Sequence, residues 1–409
     1  MLLVFFTSDD CAGLKNSCIP EKLSQTYVPH VIPSSSTKEF KTYSLPNNLS
    51  LFPLYFIHYR NMSDNPSVVL KKINEIVIED RPIPAIEDPH YVKVAIKKTG
   101  ICGSDVHFYT DGCCGSFKLE SPMVLGHESA GIVVEVGSDV KSLKVGDKVA
   151  CEPGIPSRYS NAYKSGHYNL CPEMAFAATP PIDGTLCRYY LLPEDFCVKL
   201  PGHVSLEEGA LVEPLSVAVH AARLAKITFG DSVVVFGAGP VGLLVAATAR
   251  AYGATKVLIV DIFDDKLTLA TDTLHVATNS YNSKNGMDNL LESFEGKHPN
   301  VSIDCTGVES CIAAGINALA PRGVHVQVGM GKSEYNNFPL GVICEKECIV
   351  KGVFRYCYND YNLAVELIAS GKVEVKGLVT HRFKFTEAVD AYETVRQGKA
   401  IKAIIDGPE

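Results

Sequence analysis

The chain has 409 residues, 46% of them hydrophobic and 21% charged, which at roughly 100 to 200 residues per domain favours two domains and excludes a lone small module or a largely disordered protein. Lys and Arg number 38 against 46 Asp and Glu, giving a net charge of −8 and a pI near 5.9. No basic run is present to track a phosphate backbone, so no nucleic-acid partner is expected.

Residues 1–61 come first. Pro20, Pro29, Pro33 and Pro46 and the run Ser34 to Ser36 interrupt any period there, which predicts a disordered or loosely attached leader, or sequence upstream of a start at Met62. Met1 to Phe6 is apolar but lacks a basic flank and the length of a signal-peptide core, so secretion is not indicated. From Met62 the pattern becomes regular, and the alternation Tyr91-Val-Lys-Val-Ala-Ile-Lys has the period of a half-buried strand. Short strands and Gly/Pro turns continue to about Ala218, which predicts a β-rich domain. From Asp231 strand and helix alternate: Val233 to Phe236, a helix after Gly239, Val257 to Val260, Val301 to Asp304, a helix near Ser310 to Ala320, and Val324 to Val328. Repeated βα units require a parallel sheet covered on both faces. After Tyr356 two helical patterns and a closing strand, Ile401 to Ile405, remain. The longest uncharged apolar stretch, Val233 to Ala249, contains Gly237, Gly239, Pro240 and Gly242 and is short for a bilayer, so no membrane partner is expected. Fourteen cysteines without one C-x-x-C pair suit the reduced thiols of a cytoplasmic protein.

Two constellations carry chemistry. Gly237-Ala-Gly239-Pro-Val-Gly242 follows a strand and opens a helix, with Asp261 nineteen residues further on at the end of the next strand. That context makes it a dinucleotide fingerprint: the glycines allow a tight turn and close approach to a pyrophosphate at a helix N-terminus, and the acid accepts from the ribose hydroxyls while repelling a 2′-phosphate. NAD is therefore the expected cofactor. The second constellation is Cys102, Ser104 and His107, then His127 and Glu128, then Glu213. Thiolate, imidazole and carboxylate suit a catalytic zinc with an open position, assembled here from three separate loops. Taken singly, each of these residues reads equally as core.

Cys102-Gly-Ser-Asp-Val-His107, Gly126-His-Glu128, Gly146-Asp-Lys-Val149, Glu213-Pro-Leu-Ser-Val and the Gly237 fingerprint occur in an order that resembles the zinc-dependent medium-chain dehydrogenases. Gly154-Ile-Pro-Ser-Arg-Tyr-Ser, Ser165-Gly-His-Tyr-Asn-Leu-Cys-Pro, Phe176-Ala-Ala-Thr-Pro and Gly352-Val-Phe-Arg-Tyr356 are similar to the polyol branch of that family. The resemblance spans about Met62 to Glu409 and implies an α/β protein with a β-rich GroES-like catalytic domain, residues 62–215 and 357–409. A Rossmann coenzyme domain with a doubly wound parallel sheet is implied over 216–356. It implies zinc on Cys102, His127 and Glu128, with Glu213 a ligand or bonded through the zinc water, and a proton relay through Ser104 and His107. Phe108, Glu213, Arg355 and Tyr356 match polyol-contacting positions, although Tyr is common where Phe108 stands. Gly237, Gly239, Val241, Gly242, Asp261, Lys266, Val328, Gly329, Met330, Val353, Phe354 and Arg355 match cofactor-contacting positions. The implied reaction oxidises a secondary hydroxyl of a polyol, xylitol to xylulose or sorbitol to fructose, in a homo-oligomer, a tetramer or dimer. The alternative is a zinc-free or non-catalytic nucleotide-binding relative.

Four cysteines spaced C-x-x-C-x-x-C-x7-C hold a second, structural zinc in many relatives. Here those positions read Ser157, Ser160, Tyr163 and Cys171, so one zinc per chain is expected. Two further departures stand out. Thr271-Asp-Thr-Leu-His-Val-Ala lacks the usual Gly-Ala after the second Rossmann helix, and Cys113 and Cys114 occupy a rim where a basic and an aliphatic residue are usual.

Overall fold

The computed structural model describes residues 64–332 and 334–409; the expectation for residues 1–61 lies outside them. The β-rich part is built on a seven-stranded sheet in the order Cys197–Lys199, Lys148–Cys151, Glu128–Val136, Tyr91–Gly100, Lys402–Asp406, Val379–Phe383, with Tyr189–Pro193 also pairing Tyr91–Gly100. Tyr91–Gly100 is its centre. Val92, Val94 and Ile96 are buried together with Val133, Val149 and Leu192, as the period-two alternation requires. The closing strand crosses the whole chain to reach this sheet, pairing antiparallel with Ile404 opposite Gly100.

The coenzyme part is a six-stranded sheet in the order Asn279–Asn282, Lys256–Asp261, Ser232–Phe236, Val301–Asp304, Val324–Gln327, Ile349–Gly352, and every pairing in it is parallel. Val233, Val235, Val257, Ile259 and Ile303 face one helical layer that includes Val212–Ala225 and Pro240–Ala251. Val234, Phe236, Leu258 and Val260 face the other, against Leu290 and Phe294. Both faces are therefore apolar, which is why these strands read as continuous Val/Ile/Leu runs. This is the doubly wound Rossmann arrangement, with its topological switch point beside Ser232–Phe236.

Helix Val212–Ala225 and the segment before helix Asp360–Ala369 run alongside each other. Asp360, fully buried, fastens them: its Oδ2 lies 2.7 Å from His220 Nδ1 and accepts the Cys357 N–H at 2.7 Å, while Oδ1 pairs with Arg223. Three short strands were not anticipated: Asn279–Asn282, Ile349–Gly352 and Val379–Phe383. Where the Gly-Ala is missing, the chain supplies a substitute. Leu269–Thr273 closes as a π-turn and His275 takes φ +52°, its Nδ1 2.8 Å from the Thr271 carbonyl. The turn usually given to glycine is thus held by a histidine side chain.

Candidate active site and metal centre

The fingerprint turn leaves Ser232–Phe236 and enters Pro240–Ala251 with Gly239 as N-cap. A side chain at Gly242 would place its Cβ 1.8 Å from the Gly237 carbonyl, so helix and turn can only pack this closely with glycine there. Asp261 ends its strand nearly buried. Its Oδ2 accepts the Ala238 N–H at 2.7 Å, and its Oδ1 accepts those of Ile262 at 2.7 Å and Phe263 at 3.1 Å. The acid therefore pins the fingerprint turn to the end of its strand. Val241 begins the helix. Val328 and Gly329 turn back on the Asp304 carbonyl at 2.8 and 2.9 Å, Met330 follows half exposed, and Val353, Phe354 and Arg355 leave the last strand. All these positions lie at the carboxyl ends of the parallel strands, where open α/β sheets bind nucleotides. Lys266 lies 4.8 Å from the Phe263 ring, on the same edge.

Across from this edge, the donor atoms of Cys102, His127 and Glu128 all lie within 4.8 Å of one another, the one such cluster among the described residues. Strand pairing brings them together. Gly100 is opposite Glu128, and a Cβ on Gly100 would meet Glu128 Oε2 at 2.2 Å; a bare glycine makes room for the carboxylate. Cys102 caps helix Gly103–Asp111, whose Asp105 is fully buried. Asp105 Oδ2 accepts the Cys102 N–H at 3.3 Å, and Oδ1 lies 3.2 Å from His127 Nδ1, in contact though without hydrogen-bond geometry. This leaves His127 Nε2 as the ring nitrogen turned to the cluster. A histidine with a carboxylate against its Nδ1, beside a thiolate and a second carboxylate, fits a zinc ion and its usual outer shell. Burial pulls the His127 imidazole down, but Asp105 and Cys102 outweigh it and hold it well above its usual value.

Glu213, in the first turn of Val212–Ala225, is buried, and its oxygens fall outside that cluster. Burial pushes its carboxyl up to about 7, opposed by His127 and Lys402. Tyr356 is buried, and its hydroxyl approaches the Glu213 carboxyl, whose proton affinity it lowers. Arg355 stacks with its guanidinium carbon 3.5 Å from the Phe176 ring centroid, and that same ring lies 5.7 Å from the His127 ring. Burial lowers Arg355 from its usual value. Ser104 is half buried on the helix carrying Cys102. One turn on, His107 Nδ1 lies 3.1 Å from Asp111 Oδ2. Phe108 is 2% exposed and packs in the apolar cluster of Ile101, Val106 and Tyr109. Cys113 and Cys114 form one arm of a small hairpin opposite Lys118 and Phe117, and burial pushes the Cys114 thiol up to about 12, which makes it a poor nucleophile.

Reading the sequence for site residues passed over Asp105, Phe176 and Lys402. Asp105 sits inside the Cys-Gly-Ser-Asp motif, and Lys402 is a charged residue within an apolar closing strand; both signals were available. Phe176 opens the motif Phe176-Ala-Ala-Thr-Pro, which carries resemblance to the polyol branch but assigns the ring no role.

Residues 88–202 match the alcohol dehydrogenase GroES-like domain, and residues 240–370 match the zinc-binding dehydrogenase domain. The chain belongs to the zinc-binding alcohol dehydrogenase family. It is 56% identical over 359 residues to sorbitol dehydrogenase 1 of Saccharomyces cerevisiae, covering 85% of this chain and 100% of that one. It is 55% identical over 365 residues to D-xylulose reductase of Scheffersomyces stipitis, with the same coverage of 85% and 100%. Among solved structures, L-idonate 5-dehydrogenase of Escherichia coli superposes with TM-score 0.78 at 29% identity, covering 84% of this chain and 98% of that one. For 2R,3R-butanediol dehydrogenase of Bacillus subtilis the values are 0.76, 28%, 84% and 100%.

Proposed function

We propose that this chain oxidises a secondary hydroxyl of a linear polyol to the ketone with NAD, xylitol to xylulose first and sorbitol to fructose second. One observation carries the reading. The Phe176 ring joins Arg355 on one side to His127 of the donor cluster on the other, and buried Glu213 feels both His127 and the Tyr356 hydroxyl, which groups metal donors with hydroxyl-binding side chains. Zinc held by Cys102, His127 and Glu128 would supply a Lewis acid for the substrate hydroxyl, and NAD at the fingerprint turn would supply the hydride acceptor.

The chain's own residues do the remaining work. Asp105 orients His127. Tyr356 and Arg355 bind the neighbouring hydroxyls of the polyol, Arg355 held flat by Phe176. Phe108 backs the helix from the core side and offers the substrate no hydroxyl. Glu213, near neutral in its proton affinity, holds a proton or a water next to the ligands. Ser104 passes the reacting proton to His107, whose side chain, 15% exposed and paired with Asp111, leads on towards solvent. Asp261 engages the adenosine ribose, with Lys266 beside it, while Gly237, Gly239, Val241 and Gly242 receive the pyrophosphate at the helix N-terminus. Val328, Gly329 and Met330 together with Val353, Phe354 and Arg355 flank the nicotinamide half.

One zinc per chain follows from Ser157, Ser160 and Tyr163 standing where a second site would need thiolates; Ser157 Oγ and Cys171 Sγ lie 3.6 Å apart. The catalytic domain is assigned to 62–215 with 357–409 and the coenzyme domain to 216–356. Exposed Ile349 and Val350 on the edge strand of the coenzyme sheet favour a homo-oligomer. No helix among the described residues is long and apolar enough to cross a membrane, and a cytoplasmic location suits the reduced cysteines. The test is NADH formation across a panel of xylitol, sorbitol, L-arabinitol and simple primary alcohols, with metal analysis of the same preparation. Turnover confined to primary alcohols, or a zinc-free chain, overturns the reading.

A further inference from the structure

Lys402 is 3% exposed and Glu128 1%. Its ammonium donates to Glu128 Oε1 at 2.6 Å and to the Ile101 carbonyl at 3.1 Å, and lies 2.5 Å from Glu128 Oε2. Ile101 precedes Cys102 in the chain, and Glu128 follows His127. One cation therefore grips both segments that carry metal donors. It is delivered by a strand that is itself locked to the same place, with Ile404 opposite Gly100 and the Ile101 N–H donating to the Ala403 carbonyl at 3.0 Å. Its strand neighbours Ala403, Ile404 and Ile405 are fully buried. A lysine in such surroundings is costly unless paired, and so is the carboxylate it meets.

We propose that Lys402 is the positioning residue of the metal centre. Its ammonium acts as the cation for Glu128 when zinc is absent, holding the Cys102 and Glu128 segments in ligating position, and it shares that carboxylate with zinc once the ion is bound. The site is thus preformed and survives metal loss. This rests on the assignment of Cys102, His127 and Glu128 as the metal donors.

The two claims separate in one experiment: melting of the full chain, zinc-loaded and chelator-stripped, for wild type, Lys402→Met and the double variant Glu128→Gln/Lys402→Met, with zinc content measured alongside. Wild type keeps its fold on stripping and loses only a few degrees. In Lys402→Met the stripped protein melts lower by on the order of 10 °C, because Glu128 is buried without a cation; the loaded protein loses less than half of that, since zinc supplies the charge. The double variant, with neither charge, returns the stripped protein towards wild type. Equal losses for loaded and stripped Lys402→Met overturn the proposal, because they mark a packing role for the lysine stem. Should Lys402→Met fail to fold, a folded double variant supports the proposal and an unfolded one overturns it. Wild type that retains no zinc refutes the metal assignment instead.

Discussion

Glu152 offers the sharpest test of the catalytic half. It follows Lys148–Cys151 at 7% exposure, its N–H donating to the Phe196 carbonyl at 2.9 Å and its Oε1 accepting the Tyr168 hydroxyl. Burial raises its carboxyl from 4.5 to about 8, and the Tyr168 bond only partly opposes this. Between those two values the folded chain holds a proton that the unfolded chain has released. Stability is therefore complete below pH 4.5, falls as pH rises, and is fully lost as a contribution above about 8. Each pH unit in that window removes about 1.4 kcal/mol, so the interval from pH 6 to 8 removes on the order of 2–3 kcal/mol. Glu152→Gln keeps the shape and a carbonyl oxygen for Tyr168 but has no proton to lose. The wild-type melting temperature, measured against that of Glu152→Gln, should fall by roughly 3–5 °C between pH 6 and pH 8. Parallel curves for the two proteins would refute the buried neutral acid.

Cys102→Ser should fold with a melting temperature close to that of wild type yet retain little zinc and no turnover, since a neutral hydroxyl is a poor ligand beside a thiolate; metal analysis after dialysis reads this directly. The wild-type chain should hold one zinc, and two tightly bound ions would show that the Ser157 to Cys171 loop recruits other donors. NAD should be preferred over NADP by at least about a hundredfold in kcat/KM, a few kcal/mol of repulsion at Asp261. Asp261→Ala alone should lose NAD affinity and also stability, because the N–H groups of Ala238, Ile262 and Phe263 lose their acceptor. Adding Ile262→Arg should raise use of NADP, and equal use of both cofactors by wild type would remove the role given to Asp261.

The coenzyme sheet was legible because strands such as Ser232–Phe236 bury both faces, and a run of β-branched residues bounded by glycine has few other uses. Asn279–Asn282 and Ile349–Gly352 escaped because they are sheet edges: the first is polar and the second half exposed, so neither carries a burial pattern. The nucleotide turn is local and could be read whole. The metal cluster could not, since the approach of Cys102 to His127 and Glu128 depends on a strand register, Gly100 against Glu128, that no stretch of sequence displays. Family resemblance, rather than spacing, supplied Arg355 and Tyr356. Lys402 was missed because a lysine in a strand is ordinarily taken to face water, and its partner lies 274 residues away.

That long reach also sets an order of events during synthesis. The six strands of the coenzyme sheet lie between Ser232 and Gly352 and can pair among themselves as soon as they emerge. The sheet holding Cys102 and Glu128 keeps the Lys98–Gly100 end of its central strand unpaired on one side until Lys402–Asp406 arrives about 300 residues later. The nucleotide-binding sheet can therefore be complete while the other still lacks its closing strand. A nascent or truncated chain lacking residues 402–406 would offer thiol, imidazole and carboxylate without the buried cation of Lys402 against Glu128.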